Sequence, residues 1–174
     1  MLRWFLILQI FIKIQKIMKK QFLFGMFVLE MISSTLSCKK TDTTCATVTT
    51  AAPDAEKVFL RNYITTNSIN ATEDSRGFFY SIDSVGGTKP TACSNVTVNY
   101  TLRLLNGTLV DNGNNVTFNL MNLIIGWQEG IPLIGKNGKI ILYLPPSLAY
   151  GSQATSGIPA NSYLVFTISL KEVY

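Results

Sequence analysis

The segment NVTVNYTLRLL, residues 95–105, is the feature that most restricts the fold of this 174-residue chain. Every second residue from Val96 to Leu104 is apolar or aromatic, and the residues between them are polar. Because side chains alternate between the two faces of a β-strand, this pattern predicts a strand with one buried face. Asn106 and Gly107 follow the segment, and Asn-Gly favours the tight turn of a β-hairpin. The segment therefore predicts an antiparallel sheet.

The same reasoning predicts the rest of an α+β fold. Residues 54–66 have apolar side chains at helical spacing and predict a short amphipathic helix, and residues 125–134 predict a short internal helix. Alternating or aromatic runs bounded by turn residues predict further strands at residues 76–83, 116–120, 138–145 and 162–173. About five antiparallel strands then bury their apolar face against the one internal helix. Asp111 lies between the predicted strands and is expected in a loop.

Residues 1–37 are predicted to be a targeting segment outside the folded domain. The part from Met18 to Cys38 has two lysines, an apolar stretch over residues 22–32 and small residues before the cysteine, as secretory signals do. This stretch is shorter than the roughly 20 residues that span a bilayer. Residues 1–17 are interpreted as a misassigned start upstream of Met18. The alternative is one long N-terminal membrane anchor.

The ending SSTLSCKK resembles a bacterial lipoprotein signal of the Bacteroidetes type, in which Cys38 carries the lipid. Two residues depart from the usual pattern, since Thr35 stands where a leucine is common and Glu30 interrupts the apolar stretch. The alternative is an ordinary cleaved signal. A diacyl anchor would hold the protein stably on a bacterial membrane, most simply the outer membrane, with the domain facing the periplasm or the cell surface. Residues 38–75 are then a tether with a short helix, and residues 76–174 the folded domain.

The two other cysteines offer a second covalent constraint. If Cys38 takes lipid, Cys45 and Cys93 remain as an even pair in an oxidising compartment. A disulfide between them is predicted, and two free thiols are the alternative.

Charge and composition exclude several functional classes. Most of the net charge of +5 comes from the N-terminal segment, and the chain from Cys38 onward holds 10 basic and 9 acidic residues. A nearly neutral domain lacks the basic footprint of a nucleic-acid-binding protein. The chain also has no histidine. This excludes Ser-His-Asp and Cys-His catalysis and histidine-ligated metal sites.

Five motifs follow one another between residues 76 and 174, over half of the chain. They are VTVNYT with Tyr100, NGTLVDN with Asp111, LIIGWQEG with Trp127, LPPSLAYG with Tyr150, and GIPANSYLVFTISL with Ile158 and Phe166. Each motif is weak alone, but their order and spacing resemble those of the FKBP-type peptidyl-prolyl cis–trans isomerases. The resemblance implies a strongly bent antiparallel sheet that wraps around one short helix.

In that family a proline-binding pocket lies between the sheet and the helix. Carried over to this chain, the resemblance implies five catalytic residues, which are Tyr100, Asp111, Trp127, Tyr150 and Phe166. It also implies a substrate-binding group made of Val110, Phe118, Leu123, Ile124 and Ile158. Trp127 would form the pocket floor. The resemblance implies neither a cofactor nor a metal.

Two features depart from the family pattern. Val110 stands where the family commonly has a phenylalanine, which predicts a looser pocket with weaker activity and weaker macrolide binding. Phe118 aligns with one of two nearby aromatic positions of the family and Val116 with the other, and the shorter loop in this region leaves that part of the alignment open. The loop over residues 151–160 also differs from the eukaryotic form, although similar loops are normal for bacterial members.

Each candidate site residue also has an ordinary structural interpretation. Trp127 and Phe166 would be core residues, Tyr100 and Tyr150 amphipathic aromatic residues, and Asp111 a solvated turn carboxylate. The sequence motifs favour the site interpretation for Trp127, Tyr150 and Asp111 without excluding these alternatives, and they leave the two interpretations of Phe166 equally open.

Isomerisation of an X–Pro bond suits a chain without a nucleophile. Its barrier of about 18–20 kcal/mol arises from amide resonance, so a pocket that favours the twisted amide lowers it without proton transfer. The predicted function is a prolyl isomerase that assists the folding of exported proteins. Its partners would be unfolded or nascent proline-containing polypeptides, and the protein is expected to be a monomer.

Two rival functions remain open at the level of sequence. One is a binding module or holdase with the same fold and little or no catalysis. The other is a structural surface lipoprotein with a degenerate pocket. A cleft walled by at least three of Tyr100, Trp127, Tyr150 and Phe166 would argue against the second rival.

Overall fold

The computed structural model describes residues 45–174, and the predicted signal segment with the lipidation site Cys38 lies outside them. The order of elements is α1 (Asp54–Thr66), β1 (Thr72–Glu73), β2 (Phe79–Ser84), β3 (Asn95–Leu104), β4 (Leu109–Asn119), α2 (Ile125–Gly130), β5 (Lys139–Leu144) and β6 (Leu164–Val173). Short 3-10 turns cover Leu120–Asn122, Ile131–Leu133 and Pro146–Leu148. None of the helices in residues 45–174 combines the length and the apolar character needed to cross a bilayer.

The strands form one antiparallel sheet in the order β1-β2-β5-β6-β3-β4. The prediction of an α+β fold built on an antiparallel sheet is confirmed. The sixth strand is β1, which has only two residues and pairs with β2. Two residues are too short to produce an alternating pattern, so no strand was predicted there.

Strand β3 lies between β6 and β4 and has one buried face, as its alternating sequence predicts. Val96 and Val98 are fully buried and Leu102 nearly so, while Arg103 on the other face is exposed. Strand β3 pairs with β6 on one side and with β4 on the other. One face of β3 therefore belongs to the main core.

Strand β4 corrects one expectation from the sequence. It begins at Leu109 rather than at Val116, so Asp111 lies in a strand, opposite Leu102, and not in a loop. The run Asp-Asn-Gly-Asn-Asn has no apolar alternation, because β4 is an edge strand whose side chains are mostly exposed. Irregular register on both sides of Tyr100 further obscures the pattern.

Helix α2 packs closely on the sheet because it has glycines where it meets β5. A Cβ atom on Gly130 would lie 2.6 Å from Cδ1 of Leu142, and one on Gly126 would collide with Leu144. Leu142 and Leu144 are both fully buried in the main core. The glycines thus bring the backbone of α2, and with it Trp127, down onto the sheet.

Helix α1 covers the opposite face of the sheet. Its buried residues Leu60 and Ile64 pack against Phe79 of β2 and Tyr143 of β5, in a second apolar cluster. Tyr143 alternates along β5 with Leu142, which faces the main core, so the two clusters lie on opposite faces. The sheet is therefore covered on both faces, whereas the sequence patterns had assigned only the internal helix to this task.

A disulfide joins Cys45 to Cys93, with 5.3 Å between the two Cα atoms. The bridge ties the segment before α1 to the loop before β3, across 48 residues of sequence. Cys93 also contacts the sulfur of Met121 at 3.2 Å.

Candidate active site

Trp127 is placed by the first turn of α2. Ile124 precedes the helix in an extended conformation, and its carbonyl accepts hydrogen bonds from the backbone N–H groups of Trp127 at 2.9 Å and of Gln128 at 3.2 Å. The side-chain amide of Gln128 donates to the carbonyl oxygen of Leu123 at 2.7 Å. These bonds hold the strand-like segment Leu123–Ile124 beside the helix start.

Three aromatic rings surround the indole of Trp127 in edge-on orientations. The ring centroids of Tyr100, Phe118 and Phe166 lie 5.4, 5.8 and 5.3 Å from that of Trp127, at interplanar angles of 82°, 89° and 83°. Such edge-to-face pairs are favoured by the ring quadrupoles and define geometry more closely than aliphatic contacts do. Trp127 itself is 4% exposed.

A cavity of about 250 Å³ opens beside this aromatic cluster. It is lined by Tyr100, Leu102, Asp111, Phe118, Asn122, Leu123, Ile124, Trp127, Tyr150 and Phe166. The walls are mostly apolar or aromatic, with few polar groups, as is usual for a site that binds a small apolar group. The cavity argues against a degenerate pocket, because it is lined by all of Tyr100, Trp127, Tyr150 and Phe166.

The structure brings together eight of the ten residues that the family resemblance selected. Val110 and Ile158 do not line the cavity. Val110 instead packs beside the loop over residues 151–161, where a Cβ atom on Gly157 would meet its Cγ1 at 3.3 Å. Ile158 is 5% exposed and belongs to the main core. The catalytic and binding roles of all ten residues remain predictions.

Two residues of the cavity wall, Leu102 and Asn122, were not predicted from the sequence. Leu102 follows Tyr100 by two residues on the same face of β3, so the alternation that placed Tyr100 could have indicated it. Asn122 ends the turn before Leu123 and is exposed. An exposed asparagine in a turn carries no sequence signal of a binding role.

The polar part of the cavity is a pair of side chains from adjacent strands. The hydroxyl of Tyr100 donates a hydrogen bond of 2.7 Å to Oδ2 of Asp111. Burial, followed by this hydrogen bond, raises the pKa of Tyr100 to about 12. Burial, followed by the nearby carboxylate of Asp111, also raises the pKa of Tyr150. Both phenols are therefore neutral donors at physiological pH.

A buried carboxyl group lies on α2 two residues beyond Trp127. Glu129 is 4% exposed, and neither of its carboxyl oxygens has a hydrogen-bond partner in residues 45–174. The nearest cation is Arg76, whose Nε lies 3.8 Å from Oε2 and which also pairs with Asp74. Burial raises the pKa of Glu129 to about 7, although Arg76 opposes the shift.

The arrangement has no covalent chemistry of its own. In residues 45–174 no group of three or more histidine, cysteine, aspartate or glutamate side chains could hold a metal ion. Both cysteines in this range are joined in the disulfide. An aromatic cavity with two neutral phenols and one carboxylate has the shape and the lining of a site for a small apolar group.

Comparison with known proteins names the class more closely. Residues 86–171 match the family model described as FKBP-type peptidyl-prolyl cis-trans isomerase. This part of the chain belongs to that family, so the family predicted from the five motifs is confirmed. The family is one of isomerases, which is the enzyme class that the motifs predicted.

Similar proteins include several named FKBP-type peptidyl-prolyl cis-trans isomerase FkpA. The one from Buchnera aphidicola (subsp. Schizaphis graminum) is 38% identical over 123 residues, which are 67% of this chain and 48% of that protein. The one from Escherichia coli K12 is 42% identical over 104 residues, 57% of this chain and 38% of that protein. The chain therefore spans about half or less of the length of these curated relatives.

Solved structures show the same fold. Crystalline FkpA from Escherichia coli aligns with a TM-score of 0.62 and 35% identity, over 69% of this chain and 60% of that chain. A peptidyl-prolyl cis-trans isomerase from Pseudomonas syringae pv. tomato aligns with a TM-score of 0.61 and 29% identity, over 72% of this chain and 98% of that chain.

Proposed function

We propose that the chain is a peptidyl-prolyl cis–trans isomerase that binds the proline ring of an unfolded polypeptide in the aromatic cavity. The observation that carries the proposal is the convergence of Tyr100, Trp127, Tyr150 and Phe166 on one cavity of about 250 Å³. A cavity of this size and apolar character fits a proline ring. The match of residues 86–171 to an isomerase family supports the proposal independently.

The cavity would act by favouring the twisted amide over the planar one. Twisting removes conjugation, so the carbonyl becomes less polar and is accommodated among apolar walls better than the carbonyl of a planar amide is. A group that binds the twisted form better than the planar form lowers the barrier, which in a planar amide is about 18–20 kcal/mol. The hydroxyl of Tyr150 is a neutral donor at the cavity wall for the carbonyl oxygen, whereas the hydroxyl of Tyr100 already donates to Asp111.

The test is a refolding reaction limited by proline isomerisation, which takes tens of seconds or longer without catalyst. We expect acceleration at micromolar protein, reduced in Trp127→Ala and in Tyr150→Phe. Tyr174→Phe is the matched control, because Tyr174 is 71% exposed and lies at the chain end away from the cavity lining. Refolding that proceeds at the background rate with the unmodified protein would refute the proposed activity.

A binding module or holdase is the second candidate, and the position of Val110 favours it. Val110 stands at a position where the family commonly has an aromatic residue, and it does not line the cavity, so this position adds no aromatic ring to the wall. A holdase would bind a proline-containing unfolded polypeptide with measurable affinity while the refolding rate stays at background. Titration of such a polypeptide beside the refolding assay separates the two functions.

We further propose that the protein works in the cell envelope on exported proteins, anchored through a lipid on Cys38. The support is the signal-like sequence from Met18 to Cys38. Exposure of cells to a labelled fatty acid should label the protein, and Cys38→Ser should abolish the label and release the protein from membranes. An unlabelled protein that remains in the soluble fraction would contradict the anchor.

A further inference from the structure

Glu56 of α1 reaches across to the segment that carries Tyr150. Its Oε2 atom accepts two hydrogen bonds from Ser147, one from the backbone N–H at 3.0 Å and one from the hydroxyl at 2.7 Å. Both residues are half-buried, and 91 positions separate them in sequence. A carboxylate that accepts two bonds from one residue fixes that residue more firmly than a single neutral bond does.

The bonds fall at the start of the 3-10 turn Pro146–Leu148. The first N–H groups of a helical turn have no partner within it, and Pro146 has none to offer. Ser147 therefore carries the first free donor, and Glu56 accepts from it. The carbonyl of Pro146 in turn accepts from the N–H groups of Ala149 at 2.9 Å and of Gly151 at 2.8 Å. Tyr150 lies between these two, so the turn sets its backbone position.

A second contact joins α1 to the far end of the same segment. The ring of Phe59 stacks on that of Tyr163, with 4.4 Å between centroids and an interplanar angle of 26°. We name residues 147–163 the rim segment. Helix α1 holds it near both ends, and Tyr150, which lines the cavity, lies between the two contacts.

The rim segment is buried at Leu148 and Ile158, which belong to the main core, but the residues between these two, Tyr150 among them, are not. Residues 152–157 are exposed, and Tyr150 itself is 39% exposed. Exposed residues open locally at low cost, so the position of Tyr150 depends on the buried Leu148 before it and on the bonds that hold the turn. Helix α1 does not depend on the rim segment in the same way, because Leu60 and Ile64 anchor it on the sheet.

We propose that Glu56 is a positioning residue for the pocket, which acts through Ser147 to keep Tyr150 at the cavity wall. Without Glu56, Tyr150 would be at the cavity wall in only a fraction of the molecules. The free energy needed to order Tyr150 would then weaken the binding of the substrate and of the transition state equally. Such a loss raises KM by the inverse of that fraction and leaves kcat unchanged. The kinetic part of this inference rests on the proposed isomerase function.

The kinetic experiment compares variants of the full chain with a proline-containing peptide substrate. We expect Glu56→Ala to raise KM by roughly threefold to tenfold, the net effect of losing about one ordinary hydrogen bond, with kcat within twofold. Glu56→Gln keeps an acceptor oxygen and should restore KM. Asp54→Ala is the matched control, because it removes another carboxylate from the first turn of α1 that does not reach the rim segment.

The second readout does not depend on catalysis. The Ser147 amide should exchange with deuterium at least tenfold faster in Glu56→Ala than in the Asp54→Ala control. The ring resonances of Tyr150 should shift in Glu56→Ala and in Ser147→Ala, a variant that removes only the hydroxyl bond and leaves α1 intact. Glu56→Gln should return both signals toward the unmodified protein.

The outcomes separate this inference from the proposed function. If the protein does not isomerise prolyl bonds, the proposed function is wrong. The deuterium exchange rate of the Ser147 amide and the ring resonances of Tyr150 then decide this inference without any kinetic data. If Glu56→Ala matches Asp54→Ala in exchange, in Tyr150 resonances and in KM, the inference is wrong. A fall in kcat with unchanged KM would also overturn it, since it would mean that Glu56 acts on the chemical step.

Discussion

The Tyr100 hydroxyl donates a hydrogen bond of 2.7 Å to Asp111, although the two residues lie on adjacent strands and are not directly paired. Tyr100 is opposite Gly113 and Asp111 is opposite Leu102, so the bond runs diagonally across β3 and β4. It orients the phenol at the cavity wall and turns one carboxylate oxygen toward the site. The pair is the most specific polar feature of the cavity.

The first prediction concerns this pair. Asp111→Ala should lower kcat/KM roughly threefold to tenfold, because the Tyr100 hydroxyl loses its acceptor and with it a bond worth about 1 kcal/mol. Asp111→Asn keeps an acceptor and should stay within about twofold of the unmodified protein. Combining Tyr100→Phe with Asp111→Ala in a double-mutant cycle measures the coupling. Effects that simply add would show that the two residues act independently.

The second prediction concerns Val110. The family commonly has a phenylalanine at this position, so Val110→Phe should add aromatic surface to the site and increase the affinity for a proline-containing peptide several-fold. The larger ring also crowds the loop at Gly157, because a Cβ atom added to this glycine would lie only 3.3 Å from Cγ1 of Val110. Stability should therefore fall by about 1–3 kcal/mol, as overpacking does elsewhere. Peptide titration and denaturant unfolding measure the two effects, and unchanged affinity would mean that this wall does not limit binding.

The third prediction concerns the close approach of α2 to β5. Gly130→Ala places a Cβ atom 2.6 Å from Leu142 and should destabilise the protein by about 1–3 kcal/mol. A second change, Leu142→Val, makes room and should recover part of the loss. Gly87→Ala is the control, because a Cβ atom there meets only the Lys136 carbonyl, at 3.8 Å. Equal melting temperatures for the Gly130 and Gly87 variants would disprove the packing argument.

Most of the fold could be predicted from the sequence, because apolar and polar residues alternate along the strands that bury one face. The face of β3 from Val96 to Leu102 and the apolar segment around Trp127 both depend on local patterns that burial imposes. The first half of strand β4, from Leu109 to Asn115, could not be read, since an exposed edge strand imposes no such pattern around Asp111. The contact between Glu56 and Ser147 joins residues from distant parts of the chain, and no local signal links them.

The cavity itself was predicted through family motifs rather than through physical chemistry. Trp127 and Phe166 are as consistent with an ordinary core as with a pocket, since both are nearly buried. What distinguishes a pocket is the space between the rings, and sequence periodicity contains no information on space. This is also why Asn122 was missed, while Ile158, which was predicted at the cavity mouth, is not among the lining residues.

The fourth prediction concerns the disulfide between Cys45 and Cys93. A bridge that closes a loop of 48 residues restricts the unfolded chain, and its loss should reduce the free energy of unfolding by roughly 2–4 kcal/mol. Thermal unfolding with and without a thiol reductant measures the effect. The double variant Cys45→Ser/Cys93→Ser should melt at the lower temperature and be insensitive to reductant. A reductant effect that persists in this variant would have to come from elsewhere.

The fifth prediction concerns Glu129, whose pKa burial raises from 4.5 to about 7. Between these two pH values the folded protein holds a proton on Glu129 that the unfolded chain releases. Stability from this group is therefore fully present below about pH 4.5 and declines as pH rises to about 7, by at most about 1.4 kcal/mol per pH unit. Glu129→Gln should remove this part of the pH dependence, whereas Asp54→Asn at an exposed site of α1 should leave it. Denaturant unfolding at a series of pH values tests this, and parallel curves for Glu129→Gln and the unmodified protein would show that Glu129 stays ionised beside Arg76.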